Sequence, residues 1–100
     1  MAVSKSEMID VQNVVQPGKV YRRERVRYEA VCDAVLAVLP TGAPGLTVAE
    51  TKAAILPRLP EALFPGGETA GWWLKTVQLD LEAKGIIRRW PVTPIRLYKI

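Results

Sequence analysis

The chain has 100 residues, with 14 Lys plus Arg against 10 Asp plus Glu, a formal net charge of +4, no His and one Cys. That count excludes imidazole acid–base chemistry, Ser-His-Asp and Cys-His pairs, a Cys/His zinc site and an intrachain disulfide. What remains is one small basic domain, 49% hydrophobic, long enough to bury roughly 60–65% of its unfolded surface around a single core.

Residues 1–7 are short and polar, which predicts a disordered tail rather than a secretory signal, and the domain proper spans 8–100. No apolar run approaches the ~20 residues of a membrane span. The lone Cys32 suits a reducing compartment, so a cytoplasmic protein without membrane, metal or cofactor partners is expected. Residues 8–15 mix apolar and polar positions and predict a short strand or extended arm. Pro17-Gly18, Pro44-Gly45 and Pro65-Gly66-Gly67 mark turns.

The first helix is expected from about Arg22 to Leu39. Tyr28, Val31, Cys32, Val35, Val38 and Leu39 recur at helical period, and Pro40 stops the run. Cys32 lies in that stripe as a small core residue. Arg25, Glu29 and Asp33 form the opposite, solvated face. The second helix opens on a capping box, Thr47 with Glu50, and buries Val48, Ile55 and Leu59. Pro57 and Pro60 break its tail.

The third helix is expected from about Glu68 to Lys84, with Gly85 as its terminating residue. At ~100° per residue, Ala70, Trp73, Leu74, Val77 and Leu81 share the core face. Trp72, Leu79 and Ala83 make a second apolar strip, beside Lys75 and Thr76. Such a strip calls for cover, from the N-terminal arm, the hairpin or a partner. Residues 86–90 and 95–100, joined by Pro91 to Pro94, predict a β-hairpin.

The order helix, Gly45-Leu46-Thr47, helix, helix, strand, loop, strand resembles a winged helix-turn-helix domain, with 45–47 able to serve as its small first strand. The run Leu81-Glu82-Ala83-Lys84-Gly85-Ile86-Ile87-Arg88-Arg89 resembles the exit of a recognition helix into a wing. The chain is also similar to a small family of uncharacterised bacterial proteins. Val11-Gln12-Asn13-Val14, Ala43-Pro44-Gly45-Leu46-Thr47, Leu63-Phe64-Pro65-Gly66-Gly67 and, most specifically, Gly71-Trp72-Trp73-Leu74-Lys75-Thr76 onward to Gly85 carry that likeness. The resemblance implies an α+β winged helix-turn-helix, three helices plus a C-terminal β-hairpin wing, and no activity. The link from Pro57 to Gly67 departs from it, being far longer than a standard 3–4-residue turn.

Two functions are open. In the first, duplex DNA is bound by a transcription regulator: Thr69, Trp72, Lys75, Thr76 and Gln78 read bases, while Arg88, Arg89 and Arg96 hold phosphates. Positive charge is concentrated for this at residues 19–27 and 88–100. The third helix itself has no Arg, and sets Lys75 and Lys84 against Glu68, Asp80 and Glu82. In the second, the scaffold is a protein-interaction module with Trp72, Leu79 and Trp90 as an apolar anchor. A homodimer through the arm or first helix fits either. No enzyme is expected: Asp80 and Glu82 point to different sides of a helix, and Gly66-Gly67 lacks the Lys-Ser/Thr of a phosphate-binding loop.

Overall fold

In the computed structural model, which describes residues 7–100, the chain is α+β, with three helices and two small antiparallel sheets. Of the expected disordered tail, residues 1–6 lie outside the described residues. Strands β1 (Met8–Gln12) and β2 (Val20–Glu24) form a hairpin with Val11 opposite Tyr21 and Ile9 opposite Arg23. Its turn closes on Asn13, whose Oδ1 accepts the Val15 N–H at 2.9 Å. Alternation sorts the side chains: Val11 is buried and Ile9 and Tyr21 pack on the core, while Asp10 and Arg22 meet on the other face at 3.9 Å.

This hairpin corrects the expected first helix. Residues 22–24 are strand, and α1 (Arg25–Val38) begins three residues later. Arg22 and Arg23 therefore project to opposite faces of a ribbon rather than along one helix. Within α1, Tyr28, Val31, Ala34 and Val35 are buried, and Cys32 and Val38 are half-buried at its edge.

The capping box forms as expected at the start of α2 (Val48–Ile55). Thr47 Oγ1 accepts the Glu50 N–H at 3.1 Å, and Glu50 Oε1 accepts the Thr47 N–H at 2.9 Å. Thr51, fully buried, donates its hydroxyl to the Thr47 carbonyl at 2.8 Å. The connection to the next helix contains two 3₁₀ turns, Leu56–Arg58 and Pro65–Gly67. Between them Phe64, 1% exposed, is driven into the core.

Helix α3 (Ala70–Ala83) buries Ala70, Trp73, Leu74, Val77 and Leu81 against α1, as its periodicity predicts. It starts at Ala70 rather than Glu68 because Thr69 has φ +62°, which no helical residue can share. Its end is a Schellman motif: Ile86 N–H bonds the Leu81 carbonyl at 2.9 Å, and Gly85 N–H bonds that of Glu82 at 3.1 Å.

Strands β4 (Ile87–Trp90) and β5 (Arg96–Lys99) pair antiparallel, and β3 (Leu46–Thr47) adds to β5, giving the order β3-β5-β4. The sheet thus differs from a two-stranded hairpin standing alone. Gly45 makes the close approach possible. With φ +81°, its backbone lies where an added Cβ would stand 1.9 Å from the Leu97 carbonyl oxygen.

One buried carboxylate ties the N-terminal hairpin to the helices. Asp80 is 0% exposed. It accepts the Gln12 N–H at 2.8 Å, the Lys84 ammonium at 2.8 Å and the Tyr28 hydroxyl. In the sequence it is one of two acids in the second half of the third helix. In the fold it joins β1, α1 and α3.

Candidate functional site

The apolar strip of α3 receives partial cover from the same chain. The hairpin lies along it, and the Val14 N–H reaches the Leu79 carbonyl at 3.3 Å. Leu79 is half-buried by this contact, whereas Trp72 remains 52% exposed. The Trp72 ring stands edge-on to that of Trp73, centroids 5.1 Å apart at 85°, so a buried neighbour fixes its orientation. On its other side the Arg23 guanidinium lies 5.4 Å from the Trp72 ring centre and 5.1 Å from that of Tyr21.

Two grooves run beside this ridge. The first, about 290 Å³ between the hairpin and α3, is lined by Val11, Tyr21, Arg23, Trp72, Lys75 and Leu79, with Gln12, Asn13 and Thr76 as polar rim. The second, about 490 Å³ between α3 and the β4–β5 loop, is lined by Val15, Val48, Gly71 and Ile95, with Gln78 and Arg89 at its edge. Lys75 and Leu79 belong to both. Among the described residues no carboxylate lines either groove.

The residues named for DNA do not form one surface. Trp72, Lys75 and Thr76 meet at the first groove, but Gln78 is 5% exposed and donates to Glu82 Oε2 at 3.1 Å. Thr69 caps α3 with a left-handed backbone and no side-chain bond. Arg89 is held by both oxygens of Glu82, at 2.7 and 3.0 Å, and that bond pushes its already high pKa further up. Arg96 donates to the Gly45 carbonyl at 3.0 Å and to Glu50 at 3.2 Å. Arg88 is exposed on β4 and makes no ion pair among the described residues.

The residues named for a protein partner divide as well. Trp72 and Leu79 share the first groove, while Trp90, 42% exposed at the end of β4, lines neither. Tyr21 and Arg23, which complete the ridge, were not singled out from the sequence. Their signal was the alternation of Tyr21 and Arg23 opposite Ile9 and Val11, masked by reading 22–24 as helix.

Cys32 offers no reactive centre here. Burial, then the Asp33 charge, pushes its thiol pKa up, away from the thiolate that reacts. Among the described residues no group of three His, Cys, Asp or Glu could hold a metal ion, and no helix is long and apolar enough to cross a membrane.

Residues 8–97 match a family described only as a family of unknown function (DUF6958). No curated protein and no solved structure matches the chain.

Proposed function

The chain belongs to this family of unknown function, so its role rests on its own geometry, and we propose that it is a small winged-helix-like protein-docking domain whose contact surface is the outer ridge of α3. The three helices and a sheet in which the 46–47 strand joins the C-terminal hairpin support the winged-helix description.

One observation carries the docking reading. Trp72, oriented by Trp73 and Arg23, stays 52% exposed on the wall of the first groove, whose Leu79 also lines the second. An aromatic anchor with an aliphatic floor and a cationic rim is the composition of an interface hot spot. Covering its remaining surface, on the order of 100 Å², contributes about 2.5 kcal/mol.

Duplex DNA is the second reading. It keeps Thr76 at the first groove, and Lys75 and Arg88, which make no ion pair among the described residues. It also requires Arg89 and Arg96 to leave Glu82 and Glu50 for phosphates. A random peptide display library selected on the wild-type domain, with Trp72→Ala as the counter-screen, tests the first reading. Peptides recovered on the wild type should be lost on a Trp72→Ala variant that melts like the wild type. Unfolding of Trp72→Ala would make the residue core and remove the anchor. Binding of mixed-sequence duplex DNA, with affinity falling linearly in log–log form against salt, would favour the second reading.

A further inference from the structure

We infer that the segment this ridge accepts is acidic and aliphatic, belonging to another protein, with its carboxylates on Arg23 and Lys75 and its aliphatic side chains on Leu79 and Trp72. The inference rests on the docking reading above and adds the chemistry of the partner.

The argument is charge complementarity. Five of the eight arginines, Arg22, Arg25, Arg27, Arg89 and Arg96, have a carboxylate partner within the chain. Arg23 has none among the described residues, although it stands in the middle of the candidate surface. Stacking on Tyr21 and Trp72 holds it there, together with one bond from its Nη1 to the Arg22 carbonyl at 2.9 Å. Its Nε is shielded and makes no hydrogen bond among the described residues. Lys75, on the ridge between the grooves, likewise has no ion pair among the described residues.

Two positive groups thus flank an apolar floor of Val11, Leu79 and Trp72, and no carboxylate among the described residues lines either groove. A neutral apolar partner would leave both charges partly desolvated and uncompensated, and a basic one would be repelled. A second copy of this chain brings a further net charge of +4 to the contact. A carboxylate beside a Leu or Phe satisfies both halves of the surface.

The test uses the full chain and two fluorescently labelled synthetic peptides, one interleaving Leu and Phe with Asp and Glu, the other with Asn and Gln in their place. Fluorescence anisotropy should give binding of the acidic peptide at least about tenfold tighter than of its neutral twin, with the difference shrinking as salt is added. Lys75→Gln and Arg23→Gln should each weaken the acidic peptide about threefold to tenfold. Lys75→Arg should restore it, and each change to Gln should weaken the acidic peptide more than its neutral twin. Should Arg23→Gln loosen the hairpin, Lys75→Gln, on an exposed side chain, still decides the matter. Equal binding of the two peptides, abolished in both by Trp72→Ala, would overturn the acidic specificity and leave the docking reading standing. Failure of both peptides to bind, or a Trp72-dependent dimer in sedimentation, would overturn the inference.

Discussion

Replacing Asp80 by Asn tests whether one carboxylate holds the N-terminal hairpin on the helices. The change is nearly isosteric, so packing is preserved while charge and one acceptor are lost. The amide oxygen can still take the Gln12 N–H, now at 2.8 Å, but the amide nitrogen would face the Tyr28 hydroxyl and the Lys84 ammonium, both donors to the present carboxylate. Tyr28 is buried, so the bond it loses costs about 1–3 kcal/mol. The Lys84 side chain is 33% exposed and water compensates part of its loss, which adds at most about 1 kcal/mol. Asp80→Asn should therefore destabilise the domain by about 2–4 kcal/mol, a large share of the roughly 5–15 kcal/mol of an ordinary domain. Urea unfolding followed by Trp fluorescence measures the loss, and Tyr28→Phe in a double-mutant cycle should show coupling of at least about 1 kcal/mol. Amide exchange at Gln12, whose acceptor becomes a neutral amide oxygen in place of a charged carboxylate, should quicken in Asp80→Asn beyond the change expected from global stability. A loss below about 0.5 kcal/mol, with Gln12 still protected, would refute the hub.

Other consequences are as specific. Gly45→Ala sets a Cβ 1.9 Å from the Leu97 carbonyl oxygen at φ +81°, and should cost at least about 3 kcal/mol in chemical unfolding; wild-type stability would show that β3 can separate without penalty. Thr69→Asn keeps a short polar side chain where φ is +62° and removes the β-branch, so it should stabilise by about 1 kcal/mol, and a lower melting temperature would contradict the strain. The Glu50 carboxyl is held below the usual carboxylate range by the Thr47 backbone N–H, then the Thr47 side chain, with Arg96 adding to the effect. A folded pKa below the unfolded one means that its contribution is complete above the ordinary Glu range and is lost as pH falls through the folded value. The melting temperature of Glu50→Gln should accordingly fall less than that of the wild type on acidification below the ordinary Glu range, and parallel curves would deny the linkage.

What the sequence disclosed was local. The stripe from Tyr28 to Leu39, the Thr47–Glu50 box, the core face of α3 and its Gly85 ending each depend on neighbours within a few residues, and each is in place. The N-terminal hairpin was missed because Val20–Glu24 is a strand only by virtue of Met8–Gln12 beside it, while the same residues run without punctuation into a helix. The candidate site suffered for a related reason. Arg89 and Arg96 look like free cations until chain folding brings Glu82 and Glu50 to them. Gln78 looks like a surface reader until its turn of α3 is seen facing inward. Trp72 and Leu79 were legible as a surplus strip, but Arg23, far upstream of both and on a different element, was not.

The long connection between α2 and α3 has a mechanical meaning. In a tight helix-turn-helix the turn itself fixes the angle between its two helices. Here the chain between Ile55 and Ala70 is too long to act as a brace, and Phe64, 1% exposed, stands in the core between its two 3₁₀ turns. With no backbone corner to set it, the pitch of the ridge relative to α2 is left to core packing, to which Phe64 contributes. Such a joint can be retuned by changing the volume of one residue, with the chain length left alone, and the width of the groove at Val48 and Gly71 would follow it.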